Sequence, residues 1–249
     1  MKTLKIIVVL SLIAILCNTN LSGQVNLKNI SKNANSAVNA AVGNKSLTND
    51  DVVKGLKEAL TVGSTNSVKR TSVPNGFYNN PKIKIPFPAE YNNIKTTVTN
   101  LGMKSTVDKF EKVLNNAAEE ASKQATPIFT NAITKMNIND GMTILKGKDD
   151  EATQYLKKNT SVELKSKFKP VVQSATQKVE LLKYWKPIMD KYNSVSKVFG
   201  AKKVNPDLDA YVTDKAIEGL FKLVAEEETK IRKDPMARVS DILKKVFAK

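Results

Sequence analysis

"VDKFEKVLNNAAEEASKQATPIFTNAITKM" occupies Val107–Met136, and its reading decides the fold. The apolar positions are Val107, Phe110, Leu114, Ala117, Ala118, Ala121, Ala125, Ile128, Phe129, Ala132, Ile133 and Met136. They recur at i, i+3, i+4 and i+7, which is the signature of a helix with one buried face, sustained for about eight turns. Alanines crowd the middle of the stripe, where a second helix can approach closely. Pro127 is expected to kink this helix or split it in two, because proline removes a backbone donor and crowds the preceding turn.

Outward from this stripe the pattern stays helical from Ala89 almost to the end. Shorter helices are expected around Asn139–Leu145 and Asp149–Lys158, with Gly147 between them. Further windows cover Ser161–Val179 and Val179–Phe199, with bends at Pro170 and Pro187, and a last pair covers Asp207–Lys233 and Pro235–Phe247. Upstream, Thr48 is a good N-cap with Asp50 and Asp51 in the first turn. Val52, Leu56, Ala59 and Leu60 follow on one face. Between that helix and Ala89 lies "SVPNGFYNNPKIKIPFPAEY". Ile83, Ile85 and Phe87 alternate like a strand, but Pro81, Pro86 and Pro88 exclude a central one. The expected fold is therefore all-α: a single multi-helix bundle domain over 48–249, with one short extended Pro-rich segment pressed on it as a possible edge strand.

The N-terminus reads differently. "MKTLKIIVVLSLIAILCNTNLSGQ" has basic Lys2 and Lys5, then an apolar run from Ile6 to Cys17, then small residues. Residues 1–23 are expected to be a signal peptide, which makes the protein exported and periplasmic, soluble or peripheral. Ile15 and Leu16 are large for a lipid-attachment site, so cleavage near Gly23 is favoured over lipidation at Cys17. Residues 24–47 are rich in Asn, Ser and Ala and read as a flexible polar leader.

Composition removes several chemistries. The 249 residues contain no histidine and one cysteine, Cys17, in the leader. The mature chain thus has no imidazole base, no thiolate nucleophile and no cysteine-type zinc site. No glycine-rich phosphate loop precedes a helix. No cofactor and no metal is expected. Loss of Lys2 and Lys5 lowers the formal net charge from +16 to +14. That excess suggests nucleic acid or an anionic membrane surface. Only Arg70, Arg232 and Arg238 are arginines, however, the preferred fork for phosphate, and the lysines are scattered among glutamates and asparagines. A solvated basic surface is therefore favoured, ahead of peripheral contact with an anionic membrane surface and of nucleic acid.

Two of those arginines stand in "AEEETKIRKDPMAR", Ala225–Arg238. On a helical wheel centred on Ile217, the apolar Leu220, Phe221, Val224 and Ile231 lie within about 60° of it. Glu228 lies at about 20°, with Glu227 at the rim and Glu226 on the far side. A carboxylate on the core stripe must be paired. Glu228 is expected to bond Arg232, four residues on, or Arg238, beyond the Asp234–Pro235 turn. The final stripe Met236, Val239, Leu243, Val246 and Phe247 is expected to dock on the same core. In "NNAAEEA", Asn115 and Glu119 border the alanine stripe and suggest hydrogen bonds between helices. Tyr155, Tyr184, Trp185, Tyr192 and Tyr211 read as core aromatics with wet polar ends.

An ordered series of motifs carries a resemblance. It comprises "GLKEAL" (Gly55–Leu60), "NGF" (Asn75–Phe77), "KIKIPFP" (Lys82–Pro88), "NNAAEEA" (Asn115–Ala121), "ILKGKDDEATQYL" (Ile144–Leu156), "YVTDKAIEGLF" (Tyr211–Phe221), "AEEETKIRKDP" (Ala225–Pro235) and "KKVF" (Lys244–Phe247). Together they resemble an uncharacterised family of exported bacterial proteins, a domain of unknown function. The resemblance implies one helical domain, an envelope location and no assigned activity. It marks Asn115, Glu119, Thr153, Tyr211, Thr213, Gly219, Glu227, Glu228 and Arg232 as signature positions. Asn116 and Lys157 depart from it, standing where arginine is usual.

Three functional readings follow. The first is a non-enzymatic envelope protein that binds an apolar or amphipathic small ligand, or an envelope protein partner. The second is a hydrolase of envelope glycans using Glu119 and Glu228, which requires both to face one cleft about 5–9.5 Å apart. The third is a basic binder of nucleic acid or another anionic surface, which requires a contiguous lysine face.

Overall fold

The first helix, α1 (Asn49–Thr71), starts where its capping chemistry dictates. The Thr48 hydroxyl accepts from the Asp51 amide, and the Asp51 carboxylate accepts from the Thr48 amide, a reciprocal capping box. The computed structural model describes residues 48–178, 181–196 and 207–247; the expected signal peptide (1–23) and polar leader (24–47) lie outside them. After α1 come α2 (Asn92–Val98), α3 (Lys104–Ser122), α4 (Ala125–Lys135), α5 (Ile138–Lys146), α6 (Glu151–Lys178), α7 (Leu181–Ser196), α8 (Leu208–Lys233) and α9 (Asp241–Val246). The fold is all-α, and no strand occurs among the described residues.

The long alanine-rich stripe breaks, but ahead of Pro127. Helix α3 ends at Ser122 and α4 begins at Ala125, so Pro127 falls in the first turn of α4, where its missing donor costs nothing. The reverse correction applies to α6. The sequence suggests two helices around Asn159; the structure has one of 28 residues, with Pro170 inside it. Its inward row Ala152, Leu156, Thr160, Leu164, Phe168, Val172 and Thr176 recurs every fourth residue without a gap, and that continuous burial outweighs the proline.

Helix α8 is the centre of the bundle, packed against α1, α3 and α6. Contact on three sides widens its buried arc, which centres about 60° from Ile217, nearer Leu220. Glu227, expected at the rim, is consequently buried. At one end of the core Phe87, Phe110 and Trp185 form a ring cluster with centroids 5.1–5.9 Å apart, joining the Pro-rich segment, α3 and α7.

The C-terminus differs from expectation. Asp234 accepts from the Met236 amide and Pro235 opens a 3-10 turn, as the sequence suggests, but the turn stops at Ala237. The final helix starts only at Asp241, capped by Ser240. Leu243 and Val246 dock, whereas Met236 and Val239 stay 88% and 68% exposed. The docking is close: Val246 approaches α1 at Gly55, where an added Cβ would lie 2.6 Å from its Cγ2.

Candidate functional site

The polar residues singled out in the sequence fall into separate assemblies. The first holds the Pro-rich segment, 75–87, which runs across α3 and α8 as a strap: turns over 75–79 and 81–83, then a short extended stretch at 84–86. Its alternation is real, for Ile83, Ile85 and Phe87 are all buried, but no second strand pairs with it among the described residues. Three side chains of α3, each one turn apart, replace the ladder. The Phe87 amide donates to Glu111 Oε1 (3.0 Å), the Ile85 amide to Asn115 Oδ1 (2.8 Å), and the Phe77 and Asn75 amides to Glu119 Oε1 and Oε2 (3.2 and 3.0 Å). Asn115 Nδ2 returns a bond to the Ile85 carbonyl (2.8 Å). Asn115 and Glu119 therefore bond the strap, not a neighbouring helix as their spacing suggested. The Tyr211 hydroxyl donates to the Pro86 carbonyl (3.1 Å) from α8.

Alternate bonding explains why prolines are tolerated here: Pro86 and Pro88 flank donors that α3 takes up, and have none to lose themselves. Gly219 lets the strap pass over α8, since an added Cβ would sit 2.8 Å from Phe77 Cε1 and 3.2 Å from Ile83 Cβ. Asn75 takes a positive φ of 61° at the head of the strap, a conformation asparagine adopts more readily than most residues. Burial pushes the Glu119 carboxyl above the usual range, although the Phe77, Asn75 and Tyr78 amides favour its charged form. Burial acts on Glu111 too, but Lys95, the Phe87 amide and Lys84 outweigh it and hold that carboxyl low. The Tyr211 hydroxyl is pushed up to about 12, by burial first and then by the charges of Glu90, Glu111 and Glu218.

The second assembly answers why Glu228 lies on a core stripe. Its Oε1 accepts from the Ala152 amide (3.0 Å), and its Oε2 from the Thr153 amide and hydroxyl (both 2.8 Å). These are the second and third residues of α6, whose amides have no partner within their own helix. Arg232 closes on Oε1 through Nε (2.9 Å) and Nη2 (2.8 Å), and Nη2 also donates to the Ile144 carbonyl (2.9 Å) near the end of α5. One buried i, i+4 pair on α8 thus caps the start of α6 with its acid and the end of α5 with its base. Of the two expected partners, Arg232 is the one. Arg238 instead donates to the Ile231 and Arg232 carbonyls (3.0 and 2.9 Å), closing the end of α8 itself.

A third assembly joins α1 to α8. Glu227 accepts from Arg70 (3.2 Å), Lys230 (2.8 Å) and Asn66 (3.2 Å). Burial would raise its carboxyl, but Lys230, Asn66 and Arg70 together hold it below the usual range. Glu226, placed far from the core by the wheel, pairs with Lys82 of the strap (2.7 Å) and Arg70 (3.5 Å). Arg70 and Glu111 are the residues sequence reading missed. Both had a signal: Arg70 is the third of three arginines, and Glu111 extends the Asn115–Glu119 spacing by one turn.

Two cavities lie beside these assemblies. One, lined by Leu56, Leu60, Val224, Glu228, Ile231 and Phe247, holds about 20 Å³, room for one water and no larger ligand. The other is a cleft of about 470 Å³ between the loop 72–75, α3 and Ala175 of α6. Pro74, Val113, Ala117 and Ala175 are its apolar residues; Lys112, Asn116, Glu119 and Glu120 of α3, Lys123 just beyond its end, and Ser72 and Asn75 of the loop supply the polar ones. Lys123 is tied to Glu120 (2.6 Å), whereas Lys112 makes no ion pair among the described residues. Glu119 lines this cleft and Glu228 the small cavity, so the two do not share a site. No group of three or more His, Cys, Asp or Glu among the described residues is arranged to hold a metal ion.

An all-α domain in which Glu111, Glu119, Glu227 and Glu228 are each committed to backbone amides or fixed cations is a helical module with its ionic groups used for construction. The chain belongs to the family described as protein of unknown function (DUF4197), whose model matches residues 46–248. No curated protein and no solved structure matches it.

Proposed function

We propose that this is an exported protein of the cell envelope that binds rather than catalyses, and that its ligand is a small amphipathic anion seated in the cleft along α3. The cleft carries the reading. Its volume of about 470 Å³ falls in the range of small-molecule sites; Pro74, Val113, Ala117 and Ala175 offer apolar contact, and of the charged groups on its lining Glu119 is held by strap amides and Glu120 by Lys123. Lys112 is the cation at its edge that makes no ion pair among the described residues. Asn116, where the resemblance expects arginine, stands one turn along, so relatives with arginine there would present a second cation to the same ligand. The leader 1–23, basic then apolar then small, supports export. The small cavity beside Glu228 does not suit an amphipathic ligand, and both Glu228 oxygens are already taken by α6.

The test is calorimetric titration with decanoate, and with decanol as the uncharged control. Saturable binding of decanoate that Asn116→Trp abolishes by filling the cleft, and that Lys112→Glu weakens about tenfold or more, supports the reading, since one lost charge-assisted contact is worth roughly 1.5–3 kcal/mol. Absence of binding, or equal binding by the Asn116→Trp variant, overturns it.

A further inference from the structure

The outer face of α6 has no structural duty. Its inward row runs from Ala152 to Thr176, and in the middle of the helix, between 157 and 169, the positions within about 40° of the direction opposite Thr160 are Lys158, Val162, Lys165 and Lys169. All four are exposed, and Val162, at the middle of the row, is 85% exposed. From Lys157 to Lys169 the helix carries five lysines and one acid, Glu163. Among the described residues only Lys165 of the row makes an ion pair, with Asp214 (2.8 Å), and both partners are more than half exposed, so that contact is weak and readily exchanged.

We propose that this face docks the protein on a bilayer surface of anionic phospholipid. The chemistry of the row decides between anionic partners. Lysine is a strongly hydrated point charge suited to a diffuse layer of headgroups, and arginine, which forks onto individual phosphates, is absent from α6. A single β-branched side chain flanked on both sides by lysines fits the boundary between headgroups and acyl chains, where lysine stems lie along the surface and their ammonium groups stay in water. Nucleic acid offers no apolar layer for Val162. No helix among the described residues is long and apolar enough to cross a membrane. The proposal is independent of the cleft, which lies along α3.

The experiment uses the full chain carrying Val162→Trp, with vesicles of phosphatidylglycerol and of phosphatidylcholine, each with and without brominated acyl chains. Trp185 lies in the buried ring cluster, so the quenched signal reports position 162 and not the leader. The expected result is a blue shift and quenching at position 162 with phosphatidylglycerol alone, reversed by about 0.5 M salt, which shortens the reach of surface charge to a few Å. Lysines near an anionic surface contribute about fivefold each to partitioning. Lys158→Gln, Lys165→Gln and Lys169→Gln together should therefore weaken it about a hundredfold, with the fold intact by circular dichroism. Vesicle binding without quenching at position 162 would overturn the proposal, as would equal quenching by phosphatidylcholine. So would unchanged partitioning of the triple variant, or a blue shift of the introduced indole that duplex DNA produces at lower concentration than phosphatidylglycerol.

Discussion

Replacing Glu228 by glutamine keeps the shape of the side chain and exchanges one acceptor oxygen for an amide donor. The wild-type carboxylate receives two amides and a hydroxyl from α6 and the guanidinium of Arg232. An amide at Oε1 faces the Ala152 amide and the guanidinium; one at Oε2 faces the Thr153 amide, while the Thr153 hydroxyl can turn to accept from it. The side chains of Glu228 and Arg232 are 8% and 11% exposed, so this is a buried pair and not a surface one. Removing one member of a buried pair costs about 3–5 kcal/mol, against at most about 1 for a surface pair. Loss of an N-cap alone costs about 1 kcal/mol. Arg232 retains the Ile144 carbonyl, which places Glu228→Gln near the lower end, about 3 kcal/mol. Urea unfolding should show this as a lower midpoint with an unchanged slope. Hydrogen exchange should accelerate first at the Ala152 and Thr153 amides. The double variant Glu228→Leu/Arg232→Leu should lose less than the sum of the two single changes, because neither charge is stranded. A loss under about 1 kcal/mol, or unchanged protection of those two amides, would refute the capping role.

Further expectations follow from the same physics. Glu227 has its folded pKa below the ordinary carboxylate value of 4.5, so its contribution is fully present above pH 4.5 and is lost as pH falls through the lower folded value. Glu227→Gln should flatten the acid limb of a stability-against-pH curve; an equally steep limb would deny Arg70 and Lys230 their role. Gly219→Ala gains up to about 1 kcal/mol in helix propensity but drives a methyl against buried Phe77, an overpacking cost of about 1–3 kcal/mol. A net loss in thermal unfolding is expected, and a stabilised variant would mean that the strap does not press on α8.

What could be read from the chain divides along a physical line. Periodicity exposed the helices, and the wheel put Glu228 inside because four apolar neighbours on one helix define a stripe without reference to anything else. What that stripe packs against was not legible. Glu227 was placed at the rim because a single stripe assumes one neighbour, and α8 has three. Asn115 and Glu119 were recognised as polar residues at a buried border, yet their partners are backbone amides of a segment 30 to 44 residues earlier, which no local pattern encodes. The proline count alone ruled out a central strand, but nothing local said that helix side chains would take up its amides. Arg238 looked equivalent to Arg232 by distance along the chain. The 3-10 turn at Pro235–Ala237 aims it back at the carbonyls of α8 instead. The alternation of Met236 and Val239 with the final stripe was misleading because α9 begins only at Asp241, too late to turn them inward.

The junction between α5 and α6 is finished by residues that lie 75 to 88 positions downstream. A chain emerging N-terminus first has every residue of that junction long before it has Glu228 and Arg232. Until then the Ala152 and Thr153 amides at the start of α6 lack their carboxylate, and the Ile144 carbonyl at the end of α5 has only the Gly147 amide. The closing of nonlocal contacts of this span slows folding and postpones commitment to the native topology. The domain therefore cannot mature piecemeal: its earlier helices wait on the last quarter of the chain, and a fragment ending before α8 should stay loose and open to proteolysis.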